Sequence, residues 1–284
     1  MVSAIGGSEV YSIILQNKEK SNKELNSLFP SVSSQRFSVH RIQLIRKGLL
    51  NKVNELNKTL LINDTEKDLQ DIINESLSKN NAYKDGKGVE KKDEIRSIVA
   101  NYMKGLSGKV LSLPHIECLC VKKVVALNNN LSFIGVDNSD NVINGMTATA
   151  KLHNLDLTPI NGELNEVVKN YTSDSFVAMM LDYCGYMPKQ ASSFKYAIDN
   201  DLIVKNGYLF LTFSNAVRHY KSGYGILFEQ LMKFNEQEKT GLTDTEFAND
   251  EFLKLVAGDK FNIIKKMPYQ TSSPMIFYVL QRIK

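Results

Sequence analysis

Four short runs in this chain carry side chains able to do chemistry, and each follows an apolar stretch. Asp182-Tyr183-Cys184-Gly185, after the apolar residues 176–181, offers a carboxylate, a phenol, a thiol and a flexible glycine. Asp137-Asn138 follows the apolar run 131–136, and Gly162-Glu163 follows 155–160. Leu113-Pro114-His115-Ile116-Glu117 continues a short apolar stretch that begins at Val110. Asp137 lies about twenty residues past that turn, the spacing of a carboxylate that grips ribose hydroxyls. Asp137, Asn138 and Ser139 would serve equally well as a helix N-cap, so both readings are open. Asp182 can orient or deprotonate a substrate group, or simply cap the next helix while Gly185 makes the turn. Tyr183 could stack on a planar base, as enzymes that act on an extruded base require. Cys184 as a nucleophile would need a base, and no histidine is near it in the chain. His115, Cys118 and Cys120 crowd together, but the Cys-x-Cys spacing is too tight for a zinc finger and a fourth ligand is missing. No metal is expected, and the thiols read as small buried groups.

The elements that would position these runs alternate. Strands are expected at 110–113, 131–136, 155–160, 176–181 and 208–213, with helix patterns at 115–127, 141–153, up to 171, and from Pro188 onward. Asn206-Gly207 marks the approach to the strand at 208. Buried strand, polar loop, helix, buried strand is a βαβ unit, which demands a parallel sheet with helices on both faces. Ligands in such sheets bind beyond the carboxyl ends of the strands, where Asp137 and Asp182 stand. After helices at 223–235 and 244–257, strands at 261–266 and 275–283 are joined by so short a link that they form an antiparallel pair.

Residues 1–105 contain no comparable strand. Val39, Ile42, Ile45, Leu49, Val53 and Leu56 make one helical stripe. Leu69, Ile72, Ile73 and Leu77 make a second, and Ile95, Ile98, Val99 and Met103 a third. Such stripes must be buried against something. The expected organisation is a helical region over 1–105 followed by an α/β domain over 106–284.

A hydrophobic share of 43% with 23% charged residues is ordinary globular composition. The net charge of +4 permits a polyanionic partner without demanding one. No apolar run reaches the ~18 residues of a membrane span, and the amino terminus lacks a basic leader before its apolar patch. A cytoplasmic location off the membrane is expected. Arg36, Arg41, Arg46, Lys47, Lys52 and Lys58 face a single acid, Glu55. That is a candidate surface for nucleic-acid phosphate. The commoner fate of a charge run is a solvated face, and Phe37 is the lone aromatic among them, so stacking residues do not reinforce the nucleic-acid reading.

Taken in order, the four runs resemble the Rossmann-like (class I) methyltransferases that use S-adenosylmethionine, over about residues 106–284. The resemblance implies that Leu113, Pro114, His115 and Glu117 lie at the methionine end of the cofactor. It places Asp137 and Asn138 at the ribose, Gly162 and Glu163 near the adenine, and Asp182 with Tyr183 at the acceptor, with Asp182 touching the cofactor as well. DYCGYMP is similar to the DPFGSP run of tRNA guanosine dimethyltransferases, and NGYLFLTFS to their following strand. The spacing of Leu-Pro-x-x-Glu, Asp, Leu-Asp-Tyr-x-Gly and Asn-Gly-Tyr-Leu resembles that of methyltransferase-like proteins of viruses and other mobile elements. The implied activity is methyl transfer to a base of RNA or DNA.

The sequence departs from that family twice. PHIE replaces the glycine-rich first loop, and Tyr183 replaces the proline after the strand-four acid. A loop without glycine argues against pyrophosphate on a helix N-terminus, and so against a dinucleotide enzyme. It is less damaging to a cofactor that has no phosphate. The alternative is a methyltransferase-like subunit that has lost its cofactor and serves in nucleic-acid binding or in assembly with a protein partner.

Overall fold

The computed structural model describes residues 10, 13–14, 17, 22–30, 32, 66–79, 89–183, 185–216 and 226–284. The chain forms two compact units, Met1–Asp68 and Leu69–Lys284. In the first, helix α1 (Asn22–Leu28) buries Leu25, and Val10, Ile14 and Val32 are buried as well. The Asn26 amide donates to the Val32 carbonyl at 2.7 Å and so secures the chain leaving α1. The basic stretch with Arg36, Arg41, Arg46, Lys47 and Lys52 lies outside the described residues, as does Cys184.

The second unit is built on a seven-stranded sheet in the order β3-β2-β1-β4-β5-β7-β6. Its strands are β1 (Gly108–Ser112), β2 (Leu131–Asp137), β3 (Leu157–Asn161), β4 (Phe176–Asp182), β5 (Ile203–Ser214), β6 (Phe261–Gln270) and β7 (Pro274–Arg282). β1 to β5 pair in parallel, and β7 runs antiparallel to both β5 and β6. The expected α/β sheet with its antiparallel carboxyl-terminal pair is the observed one.

Strand alternation sends successive side chains to opposite faces. Val110, Phe133, Ala178, Met180, Phe210 and Phe277 face one layer of helices: α2 (Glu66–Lys79), α3 (Val89–Met103), α4 (Leu119–Val125) and α5 (Asp140–Leu152). Leu111, Met179, Leu181, Leu209 and Leu211 face the other: α6 (Leu164–Val167) with a 3-10 turn behind it, α7 (Met187–Asp199) and α9 (Asp244–Ala257). Helix α8 (Ile226–Glu238) packs against α9, which opens with a Thr243/Glu246 capping box.

The boundary between units falls at Asp68/Leu69, where the sequence placed it at residue 105. The physical reason is burial. Leu69 and Ile73 of α2, with Ile95, Val99 and Met103 of α3, enter the same core as β1 and β2. At about 1.5–3 kcal/mol for each large apolar side chain buried, that face fixes both helices to the sheet. A second difference concerns β5, which starts at Ile203 and runs through Asn206-Gly207 with a shift of register against β4. Asn206 takes a positive φ of 65°. A Cβ on Gly207 would fall 2.6 Å from the Val177 carbonyl oxygen, so the turn signal in the sequence marks a bulge inside a strand.

Candidate active site

The loop after β1 is held from within. Leu113 N–H donates to the Met180 carbonyl at 3.0 Å, extending the β1–β4 ladder by one bond. Ile116 and Cys118 are fully buried, and Cys118 N–H closes a turn onto the His115 carbonyl at 2.9 Å. Cys118 itself adopts a left-handed φ of 50°, a conformation more at home in glycine. Packing of Ile116 and Cys118 thus fixes the shape of this glycine-free loop. Gly145 of α5 makes room: a Cβ there would lie 2.7 Å from Ile116.

Beyond β2, Asp137 is not the cap of the following helix. Ser139 is the N-cap of α5, accepting from Val142 N–H at 3.5 Å. Asp137 Oδ1 instead accepts the Ser139 N–H at 2.8 Å, which orients its carboxylate. Of the three residues that the sequence offered as caps, Ser139 takes the role, and Asp137 makes a turn onto it. The Asn138 amide donates to Glu163 Oε1 at 2.7 Å, and Gly162 N–H donates to the Asp137 carbonyl at 3.0 Å. Asp137, Asn138, Gly162 and Glu163 are thereby tied into one ledge at the carboxyl ends of β2 and β3. Partial burial raises the Asp137 pKa, opposed by the hydrogen bond from the Ser139 N–H.

A cavity of about 130 Å³ opens at the carboxyl ends of β1, β4 and β5, beneath α3. It has room for on the order of ten waters, or for one end of a small molecule. Leu113, Pro114, His115, Glu117 and Asp182 all line it. Asp182 is exposed to solvent at the open cavity, at the end of a strand whose other residues are buried or half-buried. Desolvation raises its pKa above the ordinary carboxylate range, opposed by Lys92, Arg96 and a hydrogen bond from Thr212. Burial likewise pushes His115 down, so its imidazole is neutral at physiological pH.

Tyr183 is corrected by strand parity. Adjacent strand residues point to opposite faces, so with Asp182 in the cavity Tyr183 is driven into the opposite core. Its ring is buried, stacks on Phe213 at 5.3 Å and 14°, and shares a 2.6 Å hydrogen bond with Ser193. It cannot stack on a substrate. Cys118 and Cys120 are held by burial at a pKa of about 12 and stay protonated and inert. Among the described residues there is no cluster of His, Cys, Asp or Glu suited to a metal ion, and no helix is long and apolar enough to cross a membrane.

Sequence reasoning missed four contributors. Lys92 and Arg96 line the cavity from α3, one helical turn apart, beside the inward Ile95 and Val99. That i, i+4 pair flanking an apolar stripe was the available signal. Thr212, Asp182's register partner on β5, was hidden inside an apolar strand. Tyr269 reaches the cavity from β6, which only the tertiary fold brings near.

No family model matches the chain, and no curated protein matches its sequence. Solved structures do. One is a Klebsiella pneumoniae protein described as an O-methyltransferase, with TM-score 0.51, 9% identity, and coverage of 81% of this chain and 96% of that one. Another is cofactor-bound Rv0187 from MTB, with TM-score 0.50, 9% identity, and coverage of 80% and 94%. These likenesses establish the fold: the second unit is a Rossmann-like sheet of the methyltransferase type.

Proposed function

We propose that this chain is an S-adenosylmethionine-dependent methyltransferase whose acceptor is a base of RNA or DNA. The observation that supports it most is one of placement. The cavity at the ends of β1 and β4 gathers Leu113, Pro114, His115, Glu117 and Asp182, while the ledge of Asp137, Asn138, Gly162 and Glu163 lies at the next strand ends. His115 lines the cavity on the side of the loop after β1, and the Ser139 N–H holds the Asp137 carboxylate on the ledge.

The donor set fits the cofactor. Asp137, spared from capping and oriented by Ser139, suits a vicinal diol. Glu117 and the cations Lys92 and Arg96 suit the ammonium and carboxylate of an amino-acid end. When bound, the cofactor supplies a methyl group activated by a positively charged sulfur. The chain's own part is to hold the acceptor in line and to exclude competing water, which is where most of the acceleration of such a reaction arises. Asp182 accepts a hydrogen bond from the acceptor's exocyclic N–H and takes the proton that this nitrogen loses on methylation. Lys92, Arg96 and Thr212 favour its ionised form against the desolvation that raises its pKa.

The test combines isothermal titration of S-adenosylmethionine with transfer of a tritiated methyl group to single-stranded RNA and DNA oligonucleotides. Binding and incorporation of label are expected. Absence of binding at millimolar cofactor, with or without oligonucleotide, sinks the reading. A second reading, a nucleic-acid-binding or assembly subunit without cofactor, is favoured by the glycine-free loop with Ile116 and Cys118 packed solid. It expects salt-sensitive oligonucleotide binding that Asp182→Ala leaves unchanged.

A further inference from the structure

We propose that Tyr269 is the aromatic surface on which the acceptor lies, and that the acceptor is therefore a planar heteroaromatic ring of the nucleobase class. The inference rests on the methyltransferase reading above and goes beyond it by assigning the acceptor side of the cavity to a residue of the carboxyl-terminal strand pair.

The geometry starts from the register of the sheet. Asp182 on β4 pairs with Thr212 on β5, Thr212 with Phe277 on β7, and Phe277 with Met267 on β6. These four residues form one row across the sheet, all directed toward α3. Tyr269 stands two residues beyond Met267 and so on the same face, one pleat further toward the cavity mouth. It is half-buried, packs against the α3-side core and lines the same cavity as Asp182. Three strand spacings, about 14 Å, separate β6 from β4. Both side chains line one cavity between those strands, so a ring lying on Tyr269 turns the edge opposite its sugar toward Asp182.

The walls select for flatness. On the sheet side the cavity is floored by Phe210 and Phe277, whose rings are parallel to within 3° at 6.5 Å. On the helix side it is bounded by the aliphatic Ile95 and Val99. A slot with aromatic rings on one side and branched aliphatic chains on the other accepts a flat ring better than a branched chain or a bare amine. Among the described residues Tyr269 is the one tyrosine lining the cavity, and Tyr183 is sealed in the opposite core. A tyrosine also presents a polar tip with its apolar face, which suits a cavity mouth.

The probe is a single-stranded RNA or DNA oligonucleotide carrying 2-aminopurine, whose emission falls when the base stacks on an aromatic ring. Wild type and a Tyr269→Phe variant are expected to quench it with similar affinity. A Tyr269→Leu variant should bind about 5- to 100-fold more weakly, the range of one lost base–aromatic stack. It should raise KM for the oligonucleotide in the tritium assay far more than it lowers kcat. Cofactor affinity, measured on the same preparations, should be equal in all three proteins, which also certifies the fold. Equal oligonucleotide affinity in wild type and the Tyr269→Leu variant overturns the inference, as does failure of the Tyr269→Phe variant to restore it. A wild type that binds no cofactor overturns the methyltransferase reading instead, and wild type alone reveals that outcome.

Discussion

At the scale of single residues, Asp182 decides whether the site is a machine or a relic. Its pKa is raised because the cavity removes more hydration from the carboxylate than Lys92, Arg96 and Thr212 restore. For an acid with a raised folded-state pKa, the native state binds the proton more tightly than the unfolded chain does. Stability from this group is thus greatest at low pH and falls as pH rises from the ordinary value of 3.8 through the raised one. Activity runs the other way, since only the carboxylate can accept a proton. The rate should climb with pH through an inflection above the ordinary aspartate range. Asp182→Asn should remove that inflection and lower kcat by about 100-fold or more, with cofactor affinity retained and urea stability at neutral pH no lower than wild type. Both titrations, of rate and of stability, are needed. A merely structural Asp182 would move the second alone. Asp137 and Asp182 were legible in the sequence because an acid that stops an apolar run must stand at a strand end. Tyr183 was misread because adjacency in sequence is opposition in a strand. Its neighbour faces the cavity, and it faces Phe213.

At the scale of elements, α3 links fold and site. Its inward stripe, Ile95, Val99 and Met103, was legible from spacing, but the surface that buries it was not. Helical periodicity reveals which face is covered and says nothing of what covers it. That silence explains the boundary placed at residue 105, and it explains why Lys92 and Arg96, carried on the flank of the same stripe, went unnoticed. If α3 belongs to the sheet's cooperative unit, Met103→Ala must weaken the whole unit and not a local helix. Met103 is fully buried, so truncation should cost about 2–5 kcal/mol, a transfer loss plus a cavity. The measurement is urea unfolding followed at once by far-ultraviolet circular dichroism and by tyrosine emission, the chain having no tryptophan. Coincident transitions shifted to lower urea at unchanged slope are expected. An early helical loss that leaves the tyrosine signal in place would detach α3 from the sheet. The Asn206-Gly207 bulge carries a parallel lesson. A dipeptide that signals a turn can equally relieve a close backbone approach, here onto Val177, inside a longer strand.

At the scale of the whole molecule, the net charge of +4 is too small to hold a polyanion by itself, so affinity for nucleic acid must come from placement. Two sources compete: the cations Arg36, Arg41, Arg46, Lys47 and Lys52, and stacking on Tyr269 in the cavity. They differ in how salt acts on them. Phosphate contacts release counterions, and each steepens the fall of log affinity with log salt by about 0.7 on a single strand. Stacking on Tyr269 displaces no counterion and contributes no slope. Replacing the five cations by glutamine should therefore flatten the salt dependence by up to about 3.5 if all five touch phosphate. KM for the oligonucleotide should rise while kcat at saturation holds. Bulk charge alone would produce part of this, which a matched control separates. Glutamine at Lys79, Lys169, Lys195, Lys254 and Lys284 removes the same charge from exposed side chains that are paired to acids within the second unit. If the first set flattens the slope and the control set does not, the basic segment is the backbone clamp. If both sets act alike, those cations are a solvated face, and recognition resides in the cavity between α3 and the sheet.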